Sequence, residues 1–88
     1  MIKRQTLHRV LLVEDNAGDA LLACERLSQA PDSSLKIHQV DTLADATRHL
    51  ATGCIDVVVL DLNLPDSQGL HTLHEVKRVA PSTPVIVV

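Results

Sequence analysis

Four short apolar runs divide the chain, at residues 9–13, 35–40, 56–60 and 84–88. They are rich in β-branched residues, which favour strands. The first and third runs contain VLLV and VVVL, which are continuously apolar and therefore predict strands that are covered on both faces, as in a parallel sheet. The second run, LKIHQV, alternates apolar and polar residues, so it predicts an edge strand with one wetter face.

Three segments with helical spacing lie between these runs. The first segment has apolar residues at i, i+3, i+4, i+7 and i+10, which predicts one apolar stripe made of Ala17, Ala20, Leu21, Cys24 and Leu27. Similar stripes follow in the segments around 43–50 and 70–80. The resulting order, β-α-β-α-β-α-β, predicts an α/β fold with a parallel sheet and right-handed crossovers.

Polar and helix-breaking residues mark the predicted helix ends. Asn16 and Thr42 are the predicted N-caps of the first two helices, because their side-chain oxygens can accept hydrogen bonds from amides of the first helical turn. The residues predicted to stop the three helices are, in chain order, Pro31, Gly53 and Pro81.

Composition narrows the class of protein. A chain of 88 residues has room for one small domain, and its 45% of hydrophobic residues is typical of a globular protein. The chain has no aromatic residue on which a base could stack, and its net charge of −3 gives no basic surface for a phosphate backbone. We therefore expect no direct binding to nucleic acid.

The chain lacks the patterns of export and of membrane insertion. No apolar run approaches the ~18 residues that a membrane-spanning helix needs, and no signal peptide follows the charged residues near the N-terminus. Cys24 and Cys54, the two thiols, are predicted to be reduced and partly buried. These observations predict a cytoplasmic protein without a membrane partner.

Carboxylates follow two of the predicted strands at the point where each strand ends. Glu14 and Asp15 come directly after VLLV, and Asp61 comes directly after VVVL. In an open α/β sheet, ligands bind outside the carboxyl ends of the strands, so we expect these three side chains to share one crevice. An acidic residue after a strand is often only a helix N-cap, but the helical pattern after Asp61 begins only near Leu70.

Three carboxylates in one crevice repel one another unless a cation offsets their charge. Oxygen ligands of this kind favour Mg²⁺, which proteins usually hold with one or two carboxylates together with a phosphate. A carboxylate beside such an ion can attack phosphorus and form an aspartyl-phosphate. The pattern therefore predicts a Mg²⁺ site next to a carboxylate that can take a phosphoryl group.

Two motifs carry a resemblance to a known family. VLLVEDN at 10–16, followed by VVVLDLNLPDSQG at 57–69, closely resembles the receiver domain of two-component response regulators. The spacing between the acidic pair and Asp61 fits that family, as does the D-x-x-x-P-x-x-x-G loop formed by Asp61, Pro65 and Gly69. The resemblance implies a flavodoxin-like, three-layer α/β/α fold with strand order 2-1-3-4-5, of which this chain carries about four strands and three helices.

The resemblance also implies a role for each residue of the site. Asp61 would be the phosphoacceptor, Asp15 would bind Mg²⁺ directly, and Glu14 would bind it directly or through water. Asn63 would offer its backbone carbonyl to the metal, so its side chain need not be acidic. Pro65 would fix the shape of the loop, and Gly69 would let the backbone turn at the start of the third helix.

A domain boundary and partners follow from the same resemblance. Residues 1–88 would form an incomplete receiver domain, without the family's fifth strand and its fourth and fifth helices. The Ser or Thr that follows the family's fourth strand, and the Lys that ends its fifth, would lie beyond Val88. The implied partners are a sensor histidine kinase or a histidine phosphotransfer protein, and an output domain beyond Val88 or on another protein. The uncovered fourth strand and apolar faces predict that this chain self-associates.

The main hypothesis is a signalling module that is not an enzyme. Two alternative functions stay open. The first is a degenerate receiver that binds partners without ever taking phosphate. The second is an Asp-nucleophile phosphohydrolase of the haloacid-dehalogenase type. Those enzymes place a second Asp two residues after the nucleophile as acid and base, whereas this chain has Asn63.

The histidines carry no assigned role at this point. His71 and His74 are spaced i, i+3 on the third predicted helix, which could hold a metal, but a solvated helix face is the simpler interpretation. His8, His38 and His49 are scattered along the sequence.

Overall fold

The computed structural model describes residues 7–29 and 34–88. Numbered in chain order, its strands are β1 (Leu7–Val13), β2 (Ser34–Val40), β3 (Val57–Leu60), β4 (Asn63–Leu64), β5 (Ser67–Gln68) and β6 (Val85–Val87). Its helices are α1 (Ala17–Ser28), α2 (Leu43–Leu50) and α3 (Leu70–Val79). The four predicted strands correspond to β1, β2, β3 and β6, while the short strands β4 and β5 were not predicted.

The main sheet is parallel and has the order β2-β1-β3-β6. Val13 is paired with Val40 on one side and with Leu60 on the other, and Leu60 is paired in turn with Val87. The carboxyl ends of all four strands therefore lie at the same edge. The order confirms the predicted edge position of β2 and the family's 2-1-3-4 arrangement.

Both faces of the central strands are covered, as their continuous apolar runs predicted. Leu11, Val13, Val58 and Leu60 belong to a core shared with α2 and α3. Val10, Leu12 and Val59 belong to a second core, which is shared with α1. The sheet thus lies between two helical layers, and the predicted three-layer α/β/α fold is confirmed.

The predicted N-caps are present. The Asn16 side-chain oxygen accepts a hydrogen bond from the Asp19 N–H (2.9 Å), and the Thr42 hydroxyl accepts one from the Asp45 N–H (3.1 Å). Each helix begins at the residue after its cap, so α1 and α2 begin near the carboxyl ends of β1 and β2.

The predicted helix stops have three different outcomes. Pro31 lies outside the described residues, and α1 ends before it at Ser28. Gly53 follows the end of α2 and has a φ of 75°, a left-handed conformation that favours glycine. Pro81 comes two residues after Val79, the last residue of α3.

The apolar stripe predicted for α1 is wrong at two of its positions. Ala17 is exposed, and the Leu21 side chain is 62% exposed. Ala20 is buried against the sheet, and Ala23, Cys24 and Leu27 pack beside it. The helix is therefore rotated relative to the predicted stripe, because Ala23 lies closer to the centre of the buried face than Leu21 does.

Two further findings concern the thiols and membranes. Cys24 is half-buried, as predicted, whereas Cys54 is exposed in the turn before β3, so the prediction of partial burial is wrong for that residue. Within the described part of the chain, no helix has the length and apolar character required to cross a bilayer.

Candidate functional site

The acidic residues predicted from the sequence lie where the chain leaves β1 and β3. The Glu14 N–H donates to the Val40 carbonyl oxygen (2.9 Å), and the Asp61 N–H donates to the Val13 carbonyl oxygen (3.0 Å). These two hydrogen bonds extend the parallel ladders by one residue beyond the strands. They hold Glu14 and Asp61 on neighbouring strands at the same edge of the sheet.

Three carboxylates meet at this edge. Glu14, Asp15 and Asp61 each present an oxygen, and all three oxygens lie within 4.8 Å of one another. Glu14 is buried, Asp61 is half-buried and Asp15 is exposed. The arrangement is an acidic pocket with one wall in the protein interior and one side open to solvent, which is consistent with Mg²⁺ binding.

Burial and neighbouring charge both act on Glu14. Burial is the main cause of the raised pKa of this carboxyl group, and the negative charge of Asp61 raises it further. The Asn16 N–H donates to Glu14 Oε1 (3.0 Å), which lowers the pKa but does not cancel the other two effects. The charged form of Glu14 is therefore less favourable here than in water, and a cation in the pocket would favour that form.

The Asp61 side chain is oriented by its own loop. The Asn63 N–H donates to Asp61 Oδ1 (3.0 Å), which fixes the plane of the carboxylate at the mouth of the pocket. Asn63 itself is exposed and begins β4. Its predicted contribution of a backbone carbonyl to the metal stays a prediction.

The loop that follows Asp61 is closed by β4 and β5. Leu64 is buried in the core, while the Gly69 N–H donates to the Leu62 carbonyl oxygen (2.8 Å). Gly69 has φ 72° and ψ −158°, a conformation that is essentially restricted to glycine, and α3 begins at the next residue. The prediction that Gly69 turns the backbone into the third helix is confirmed.

Asp66 is a residue of this loop whose role the sequence did not reveal. Its two carboxylate oxygens accept hydrogen bonds from the Leu43 N–H (2.8 Å) and the Ala44 N–H (3.0 Å) in the first turn of α2. The Leu43 amide is the main cause of the lowered pKa of Asp66. The loop that carries Asp61 is thereby attached to the start of α2.

Comparison with protein families gives a match over nearly the whole chain. The model of the response regulator receiver domain matches residues 10–88. This range includes the two motifs and all three carboxylates of the acidic pocket.

Curated relatives belong to the same class. The chain is 37% identical over 75 residues to the luminescence regulatory protein LuxO of Vibrio campbellii, a match that covers 85% of this chain and 16% of LuxO. It is 39% identical over 82 residues to the virulence transcriptional regulatory protein PhoP of Salmonella typhimurium, which covers 90% of this chain and 34% of PhoP. The chain thus spans only a sixth to a third of the length of these relatives.

A solved structure agrees with the observed fold. The MaeR response regulator bound to beryllium trifluoride superposes with a TM-score of 0.80 at 28% identity. The match covers 92% of this chain and 66% of that one.

Proposed function

Because this chain belongs to the receiver domain family of response regulators, we propose that Asp61 accepts a phosphoryl group beside Mg²⁺ and that another domain or protein reads the change. The observation that carries the proposal is the meeting of three carboxylate oxygens, from Glu14, Asp15 and Asp61, within 4.8 Å at the sheet edge. No single N-capping role accounts for three acidic side chains from two strands in one pocket.

The residues of the pocket fit a hard divalent cation. Asp15 and Asp61 would bind Mg²⁺ through carboxylate oxygens, Glu14 directly or through water, and Asn63 through its backbone carbonyl. All of these donors are oxygens, and burial, together with the charge of Asp61, raises the pKa of Glu14, so that a cation would favour its charged form. When bound, Mg²⁺ supplies positive charge that offsets the carboxylates and the transferring phosphoryl group.

The half-buried position of Asp61 in the acidic pocket supports its proposed role as the phosphoacceptor. In the proposed transfer, a carboxylate oxygen of Asp61 attacks the phosphorus of a phosphohistidine on a sensor kinase or histidine phosphotransfer protein. An O–P bond forms as the P–N bond breaks, and the electron pair of that bond goes to the imidazole nitrogen. The Asn63 N–H on Oδ1 keeps the carboxylate oriented, so that little freedom is lost on the way to the transition state.

The phosphoacceptor role can be tested with a small phosphodonor. The purified protein, incubated with acetyl phosphate and Mg²⁺, is expected to gain the mass of one phosphoryl group by intact-mass spectrometry. The Asp61→Asn variant is expected to gain none, because an amide cannot act as the nucleophile.

Asp41→Asn provides a matched control for this experiment. Asp41 follows β2 as Asp61 follows β3, yet it is not one of the three carboxylates of the acidic pocket. This variant should be phosphorylated like the original protein. A protein that gains no mass, or an Asp61→Asn variant that gains as much as the original, would refute the proposal.

A further inference from the structure

Two histidines that are eleven residues apart in the sequence meet between the edge strand and the second helix. His38 belongs to the edge strand β2 and His49 to α2, and their Nε2 atoms lie 3.1 Å apart. Their ring centroids are separated by 4.2 Å, with a tilt of 51° between the ring planes. The sequence analysis assigned these two histidines no role, and their proximity becomes visible only in the structure.

The separation of the two nitrogens suits a shared metal ion. With metal–nitrogen bonds of about 2.0–2.1 Å, nitrogens at the observed distance subtend an angle of about 95–100° at the metal. Such an angle lies between those of octahedral and tetrahedral coordination. The histidine χ2 torsion is soft, so the two lone pairs can be aimed at one ion by ring rotation alone.

A metal ion can replace the proton that lies between the two Nε2 atoms. At 3.1 Å, one Nε2 donates a hydrogen bond and the other accepts it, so the two rings share one proton. If that proton moves to Nδ1 of the same ring, both Nε2 atoms present lone pairs and a cation can take the place of the proton. The rearrangement is a change of tautomer, and it releases no net proton.

We propose that His38 and His49 form an open binding site for a transition-metal dication of the Zn²⁺, Ni²⁺ or Cu²⁺ class. Imidazole nitrogen suits these ions, whereas Mg²⁺ takes oxygen ligands. The acidic pocket is made of carboxylates alone, so the two sites select different metals. Within residues 7–29 and 34–88, no third histidine, cysteine or carboxylate joins the pair, and water completes the coordination.

The proposed site has a mechanical effect on the fold. β2 is the outermost strand on its side of the sheet, and α2 lies on the sheet face toward which His38 points. A metal held by both residues cross-links that strand to the helix. Because the folded chain holds both imidazoles together and the unfolded chain does not, the folded state binds the metal more tightly, and the unfolding temperature rises with the metal concentration.

The test is a titration with Zn²⁺ alone in the presence of excess Mg²⁺, which keeps the acidic pocket filled. Nitrogen-labelled histidine rings are followed by NMR, and the unfolding midpoint is measured in parallel. We expect the ring signals of His38 and His49 to shift together and the midpoint to rise. Replacement of either residue, as His38→Gln or His49→Gln, should weaken the affinity for Zn²⁺ by at least about tenfold.

His71→Gln is the matched control, since it removes an exposed helical histidine away from the pair. It should leave the affinity unchanged. The proposal is overturned if the rings of His38 and His49 do not respond to millimolar Zn²⁺, if the Gln variants bind as tightly as the original, or if His71 and His74 respond first. Should a Gln variant fail to fold, as judged by far-UV circular dichroism, the ring shifts of the original protein still decide the matter.

Discussion

Glu14 and Asp15 are neighbours in the chain, yet their surroundings give them different properties. The Glu14 side chain is only 7% exposed, and its pKa is raised by burial and by Asp61. Asp15 is exposed and can reach a cation without losing its access to water. The exposure of Asp15 thus fits the proposal that it holds Mg²⁺ directly, and the burial of Glu14 fits a ligand that would bind the ion directly or through water.

We predict that Asp15→Asn weakens Mg²⁺ binding by about 10- to 100-fold, because the variant loses a charged oxygen ligand. Binding is measured by the chemical shifts of backbone amides around Asp15 and Asp61 during a Mg²⁺ titration. Glu25→Gln removes the same charge from an exposed position of α1 and should have little effect.

The same titration separates a working receiver from a degenerate one. A pocket that has lost its function would give no shift at these amides in the original protein, and the metal assignments of Glu14, Asp15, Asp61 and Asn63 would then fail.

At the residue level, the sequence predicted the carboxylates but not the histidine pair. Glu14, Asp15 and Asp61 could be placed together because parallel strands end at a common edge, a rule that needs no knowledge of side-chain contacts. The meeting of His38 and His49 depends on where α2 packs against the sheet. No local pattern encodes that packing, so the pair became visible only in three dimensions.

At the level of elements, the β4–β5 loop and α2 form one connected unit. Asp66 bridges them by accepting hydrogen bonds from the Leu43 and Ala44 amides, which are more than twenty residues earlier in the chain. Thr42 caps the next amide of the same helical turn, that of Asp45. Two side chains thus satisfy three of the amides that a helix start leaves without partners.

We predict that Asp66→Asn lowers the free energy of unfolding by about 0.3–1 kcal/mol at neutral pH, because the amide keeps one acceptor oxygen but loses the negative charge at the start of α2. The folded-state pKa of Asp66 is lowered from its ordinary value of 3.8, so its contribution is fully present above pH 3.8 and is lost as the pH falls through the lower folded-state value. Urea unfolding at neutral pH and below pH 3.8 measures the difference.

The two proteins should become equally stable at the acidic end of that series. A variant that is destabilised by the same amount at both pH values would show that the charge of Asp66 has no part in the cap.

The positions of helices and strands were predictable where the apolar residues of the sequence are also the residues that are buried in the fold. β1 and β3 are covered on both faces, so their apolar runs carried a clear prediction of central strands. The stripe of α1 was misplaced because apolar residues surround more than one side of this helix, as exposed Leu21 and Leu22 demonstrate. Local spacing alone could not decide which of those sides faces the sheet.

At the scale of the whole molecule, one face of the sheet is only partly covered by α1. A groove of about 490 Å³ runs beside that helix, with Leu12, Leu27 and Val59 among the residues of its floor and walls. Leu22, Ile86 and Val88 line it as well and are each about half exposed or more. Glu14 and Asp61 lie at one end of its lining, and the exposed apolar side chains promote association.

We predict that the 88-residue chain self-associates through this surface, because contact between copies removes Leu22, Ile86 and Val88 from water. Light scattering over a concentration series should give an average mass above that of the monomer. Ile86→Lys, which places a charge in the groove, should shift the average toward the monomer, whereas Lys36→Ala, on the exposed side of β2, should not. A monomer of constant mass at high concentration would contradict this prediction.

The strand order has a consequence for folding during synthesis. The backbone N–H of Arg9 in β1 donates a hydrogen bond to Asp56 Oδ2, 47 positions away in the sequence. Every ladder of the main sheet joins distant segments, and only the β4–β5 hairpin is local. During synthesis, β1 has no partner until β2 has followed and lacks its second neighbour until β3 has followed, so folding depends on the slow closure of long loops between strands rather than on formation of any helix.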